Sequence, residues 1–273
     1  MNSTRPSIGV FDSGFGGLTV LRELVALNPH TDYLYFGDTA RLPYGSKSVE
    51  TVARYAVEAT HFLESRAANL LVIACNTATA LALDRITAAA RVPVVGVVEP
   101  GANQAASASQ NRRVVVIGTE ATVSSHAYLR ALERRGVEAR EKACPLFVPL
   151  VEEGWVEHPV TEQVAQIYLK EAFADGFHNA DVLVLGCTHY PLIKPLLRRV
   201  APAHVKIVDS AHSTANVVAE RIKALPGHRE QGQPATPTGL RFFATDSVEK
   251  FRHLGPRFLG HPVEGVEHVD LKE

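Results

Sequence analysis

Seven short apolar runs recur along the chain: Ser7–Phe11, Tyr33–Phe36, Leu70–Ala74, Val92–Val98, Arg113–Gly118, Val182–Gly186 and Val205–Val208. Most are rich in Val, Ile and Leu and lack alternation, the pattern of strands covered on both faces. Segments with helical spacing lie between them. Ser48–Arg66 puts Val52, Tyr55, Ala56, Ala59 and Leu63 on one stripe. Thr122–Arg135 turns Leu129 and Leu132 inward and opens with the capping residues Thr122 and Ser124. Thr161–Ala174 and Ser213–Leu225 behave alike. This alternation predicts an α/β fold with mostly parallel sheets. The tail adds a strand at Leu240–Ala244 and a helix at Ser247–Leu254, after a segment, Pro226–Gly239, that reads as a surface loop.

The chain also echoes itself. Leu71-Val-Ile-Ala-Cys75-Asn-Thr77 resembles Leu183-Val-Leu-Gly-Cys187-Thr-His189, and Phe11-Asp-Ser-Gly14 resembles Val208-Asp-Ser-Ala211. Two domains are expected: residues 1–97 completed by 209–273, and residues 98–208. In open α/β sheets ligands bind beyond the carboxyl ends of the strands. Asp12, Cys75 and Cys187 all fall where such ends belong.

Composition narrows the options. At 273 residues the chain suits two domains, and 46% hydrophobic with 21% charged residues fits a globular protein. A net charge of -1 provides no general field for nucleic acid or an acidic membrane surface. No apolar run nears the ~18 residues of a membrane span, and the N-terminus lacks a secretory apolar stretch, so a cytoplasmic location is expected. Three cysteines, Cys75, Cys144 and Cys187, make no disulfide framework and no C-x-x-C pair, and no metal site is expected.

The chemistry resides in two of those cysteines. Cys144, before Pro145 in an apolar stretch, reads as packing. Cys75 is followed by Asn76 and Thr77, and Cys187 by Thr188 and His189, so each apolar strand gives way abruptly to hydrogen-bonding groups. Paired thiols suit inversion at carbon: a thiolate takes a proton from one face and a thiol delivers one to the other. A helix starting after each cysteine would favour the thiolate. The run from Asp12-Ser13 through Gly17 contains neither G-x-G-x-x-G nor G-x-x-x-x-G-K and reads as a loop for a small anion such as a carboxylate. Tyr44-Gly45 reads as a turn able to present amides. His189 can tune a thiol or pass a proton. Spacing alone does not say whether Glu152 or Glu153 faces a pocket.

Taken in order, these segments resemble the bacterial glutamate racemases of the aspartate/glutamate racemase superfamily. The markers are Gly9-Val-Phe-Asp-Ser-Gly-Phe-Gly-Gly-Leu-Thr19, Gly37-Asp-Thr39 with Pro43-Tyr-Gly45, Ala74-Cys-Asn-Thr-Ala78, Val148-Pro-Leu-Val-Glu-Glu-Gly154 and Leu185-Gly-Cys-Thr-His-Tyr-Pro191. The resemblance implies two pseudo-symmetric α/β domains with the site in the cleft. It implies formation of D-glutamate for peptidoglycan without cofactor or metal. Cys75 and Cys187 match the acid/base cysteines. Asp12-Ser13, Tyr44-Gly45, Asn76-Thr77 and Thr188-His189 match substrate-binding pairs. Asp12, His189 and one glutamate, with Glu153 preferred, match groups that assist the thiols. Glutamate is the expected small-molecule partner, with no nucleic acid or membrane, and a homodimer is left open.

Three rivals compete. A sister racemase for aspartate or a hydantoin would use the same thiols. A redox protein would need cysteines that can bridge, against a separation of 112 positions (187 minus 75). A binding protein for acidic amino acids would have no use for two opposed thiols.

Overall fold

The computed structural model describes residues 5–225, 227 and 238–271. The chain runs β1 (Ser7–Asp12), α1 (Leu18–Leu27), β2 (Asp32–Gly37), α2 (Val49–Ser65), β3 (Leu70–Ile73), α3 (Asn76–Ala89), β4 (Val94–Gly96) and α4 (Val98–Ala108). It continues with β5 (Arg113–Gly118), α5 (Glu120–Ser124), α6 (Ala127–Glu133), β6 (Glu138–Ala143), α7 (Phe147–Glu152), α8 (Pro159–Ala172), β7 (Val182–Gly186), α9 (Lys194–Val200), β8 (Lys206–Asp209) and α10 (Ser210–Ile222). It closes with β9 (Leu240–Ala244), α11 (Val248–Leu259) and β10 (Val266–His268).

Among the described residues the strands form two sheets, ordered β10-β9-β2-β1-β3-β4 and β6-β5-β7-β8, with every pairing parallel. The run β2-β1-β3-β4 repeats as β6-β5-β7-β8, so the two sheets are pseudo-symmetric, and β9 and β10 extend the first. Under this correspondence β3 matches β7, which makes Cys75 and Cys187 equivalent. The echo between Phe11–Gly14 and Val208–Ala211 has no such basis: β1 corresponds to β5, not to β8.

Parallel strands buried on both faces need apolar residues at every position. In β1, Ile8 and Val10 face α1, α10 and α11, while Phe11 faces α2 and α3. In β3, Leu70 and Val72 point one way and Leu71 and Ile73 the other. In β5, Val115 and Ile117 pack toward α8 and α9, and Val114 and Val116 toward α4 and α6. Helix α10 packs on both α1 and α4, bridging the two halves.

Two elements depart from expectation. The strand expected over Val92–Val98 shortens to Val94–Gly96, and Val98 already begins α4. The single helix expected over Thr122–Arg135 is two. It breaks at His126, whose φ is 53°, after the Ser125 hydroxyl bonds the Thr122 carbonyl and the Ala127 amide. Its cap is Thr119, not Thr122 or Ser124. Most of the loop read at Pro226–Gly239 lies outside the described residues. No helix among the described residues is long and apolar enough to cross a membrane.

Candidate active site

The carboxyl ends of β1, β3, β5 and β7 converge on one cavity of about 50 Å³. Cys75, Asn76, Thr77, Ser13, Tyr44 and Gly45 line it from the first half, and Cys187, Thr188, His189, Glu152 and Thr119 from the second. Leu42, Pro43 and Val148 add apolar wall.

Cys75 caps α3. Its Sγ accepts from the Ala78 amide at 3.4 Å and faces the Ser13 hydroxyl at 3.4 Å. Those bonds favour a thiolate, but burial and the charge of Asp12 outweigh them and push the thiol up to about 12. Cys187 has no such helix. A 3-10 turn, Tyr190–Ile193, follows it instead. Its partner is a side chain: His189 Nδ1 lies 3.9 Å from Sγ, and Nε2 lies 3.3 Å from Glu152 Oε1. Burial pulls His189 down, yet its bonds to Cys187 and Glu152 prevail and raise it to about 10. Burial likewise pushes Glu152 up, but His189 and Lys250 hold it below the usual range. Lys250 Nζ bonds Glu152 Oε2 at 2.9 Å. Of the expected glutamates, Glu152 therefore reaches the site. Glu153, the preference from sequence, is exposed at the end of α7 and does not line the cavity, because one residue of helix rotates the side chain by ~100°.

Asp12 lies just off the lining, behind Ser13 and Gly14, and is 1% exposed. Oδ2 accepts from the Gly14 amide at 2.9 Å, while Oδ1 has no partner among the described residues. Burial raises this carboxyl, against the opposing pull of His189 and the Gly14 and Gly17 amides. Asn76 Oδ1 accepts from Tyr128 at 2.7 Å, and its Nδ2 is buried and unpartnered among the described residues. Thr77 bonds Thr119 and Thr122 across the halves at 2.9 and 3.2 Å. The Tyr44 hydroxyl donates to Asp38 at 2.5 Å, which pins the turn carrying Gly45. Thr188 is anchored through its carbonyl by the Thr19 hydroxyl at 3.1 Å. Gly16 packs so closely on Thr188 and His189 that a Cβ there would strike both.

Three contributors were not read from sequence. Thr119 follows β5 as Ser13 follows β1, so the strand-end rule alone would have found it. Tyr128 and Lys250 reach the site from distant helices, and nothing in their local sequence signals it. Among the described residues no group of three or more His, Cys, Asp or Glu could hold a metal ion.

Residues 8–218 match the family model for Asp/Glu/Hydantoin racemase. The chain is 63% identical to a protein of Koribacter versatilis named glutamate racemase, across 99% of each. It superposes on the crystal structure of glutamate racemase from Francisella tularensis in complex with D-glutamate with a TM-score of 0.88, at 36% identity and 98% coverage of each chain. The glutamate racemase of Thermus thermophilus, in complex with beta-chloro-D-alanine, aligns with a TM-score of 0.85, at 44% identity and 99% coverage of each. Sequence, topology and strand-end cysteines thus agree, and the chain belongs to the Asp/Glu/Hydantoin racemase family, among its glutamate racemases.

Proposed function

We propose that this protein interconverts L- and D-glutamate by proton transfer between Cα and two cysteines, Cys75 and Cys187. The observation that carries the reading is their placement: two thiols at equivalent strand ends line one cavity from opposite halves. The D-glutamate bound to the Francisella relative supports the substrate class.

The electrostatics separate the two roles. Burial and Asp12 keep the proton on Cys75. At the other end the imidazolium of His189 lies beside Cys187 Sγ, where a thiolate's charge would rest. In the forward step Cys187 takes the α-proton from one face and Cys75 donates its proton to the other; the reverse reaction exchanges the roles. Asp12 and His189 assist the thiols, with Glu152 fixing the imidazole. The substrate is a zwitterion with a second carboxylate, and it needs both donors and an acceptor. The unpartnered Nδ2 of Asn76 supplies a donor, Gly45, Thr77 and Thr188 line the cavity beside it, and Asp12 places a carboxyl group behind Ser13 and Gly14 for the ammonium. Ser13, Tyr44 and His189 complete the binding set.

A cavity of about 50 Å³ is far below the ~300–1,000 Å³ of ordinary ligand pockets. Substrate therefore enters when residues 1–97 with 209–273 open against 98–208, and closure excludes water from the proton transfer. The product would serve peptidoglycan synthesis.

The test is incubation of the purified protein with L-glutamate, followed by optical rotation, beside an aspartate control. Rotation lost with glutamate alone supports the reading. Unchanged rotation with glutamate, from folded protein with reduced thiols, refutes it. Rotation lost faster with aspartate reassigns the substrate.

A further inference from the structure

Helix α11 lies beyond residue 218, where the match to the family model ends, yet it packs against the His189 side of the site. Phe258 sets its ring edge-on to His189, with centroids 5.2 Å apart. Phe251 packs on Phe15, in the loop after Asp12, at 5.5 Å. Arg257 lies over Gly154, in the turn just past Glu152. Lys250 spans the cleft from this helix to α7, its Nζ 2.9 Å from Glu152 Oε2 and 5.5 Å above the Phe15 ring.

These contacts complete a chain of four side chains: Lys250 to Glu152 at 2.9 Å, Glu152 to His189 at 3.3 Å, and His189 to Cys187 at 3.9 Å. We propose that Lys250 is a positioning residue for proton transfer at Cys187, holding Glu152 against His189 across the closed cleft. The inference rests on the two-thiol reading above. A carboxylate has two oxygens, and each here has one cationic partner. With Oε2 tied to α11, Oε1 is directed at the imidazole and the rotamer is fixed. Without Lys250 the Glu152 side chain is free to turn toward the solvent at the cavity mouth. Because the pair joins opposite halves of the molecule, the imidazole receives its full support only when the cleft is shut. Lys250 is itself half exposed and touches no reacting atom.

Glu152 is also the group whose titration reports the contact. Lys250 from α11 and His189 from the end of β7 favour its carboxylate form. Asp12 from the end of β1 opposes it, and Glu120 of α5 lines the mouth beside Glu152. Arg257 of α11 lies nearby over Gly154. Removing Lys250 leaves His189 as the only cation bonded to Glu152 among the described residues.

The experiment compares wild type, K250M, K250R, E152Q and the double variant K250M/E152Q in the glutamate racemisation assay, across pH. K250M should lower kcat roughly tenfold, the scale of one charge-assisted contact. KM should change little, and the acid limb of kcat/KM should move to higher pH. K250R should restore most of the rate. In the E152Q background K250M should cost nothing further, since the carboxylate it holds is gone. Full kcat in K250M, or an equal loss from K250M with and without Glu152, overturns the positioning role while leaving the two-thiol reading intact. A wild type that does not racemise glutamate overturns that parent reading and this inference with it.

Discussion

The two cysteines occupy equivalent positions in repeated halves, yet their surroundings have diverged. Cys75 sits at the N-terminus of a long helix, with a serine hydroxyl and a backbone amide on its sulfur and a buried carboxyl behind it. Cys187 precedes only a short 3-10 turn and relies on a side-chain chain through His189, Glu152 and Lys250. The first environment holds a proton; the second provides a cation. A symmetric scaffold thus yields an asymmetric pair, which a reaction with an acid on one face and a base on the other requires. Helix dipoles do not decide the matter: the Cys75 thiol is raised despite its helix N-terminus, because burial and Asp12 exceed what one amide bond offers.

Removing either sulfur should have the largest effect. Cys75→Ala and Cys187→Ala should each reduce racemisation by on the order of a thousandfold or more while the melting temperature hardly moves. Normal turnover in either would end the two-base account. Next come the groups behind the thiols. Asp12→Asn and His189→Asn should lower kcat roughly a hundredfold with KM within a few-fold. An effect confined to KM would show that they bind substrate rather than assist proton transfer.

The comparison also sharpens through stability. His189 titrates at about 10 when folded against an ordinary 6.5. A group raised on folding contributes its stability in full below the unfolded value and loses it as pH climbs through the folded one. The stability advantage of wild type over His189→Asn should therefore be greatest below about pH 6.5 and shrink toward pH 10. Urea denaturation at several pH values measures it, and an advantage that grows with pH would contradict the charged imidazole. Gly16→Ala should cost about 1–3 kcal/mol in the same assay, because its methyl group meets Thr188 and His189. The smallest effect belongs to Tyr128→Phe, which frees Asn76 Oδ1 at a cost of about 1 kcal/mol.

Much of this was legible in the chain. Buried parallel strands announce themselves as unbroken apolar runs, and the rule that sites form at their carboxyl ends pointed to Asp12, Cys75 and Cys187, of which the two cysteines line the cavity and Asp12 lies just behind it. What was hidden depended on other physics. Helix α3 lacks a clean apolar stripe, since Asn76, Thr77 and Thr79 are buried on it alongside Ala78 and Ala82. Thr122–Arg135 has helical spacing throughout, but local serine bonds interrupt it. The choice between Glu152 and Glu153 rests on the rotation of α7 relative to β7, which adjacent residues in a sequence do not encode. Lys250 reads as an ordinary solvated charge until the fold carries α11 across the cleft.

The most direct test is deuterium placement at early times. Wild type is given pure L-glutamate in deuterated water, and the two enantiomers are separated and weighed before much has turned over. Two thiols on opposite faces predict D-glutamate that is deuterated at Cα beside remaining L-glutamate that keeps its protium. Deuterium entering the unreacted L-glutamate as fast as the product would mean one group serves both faces, and would contradict the account.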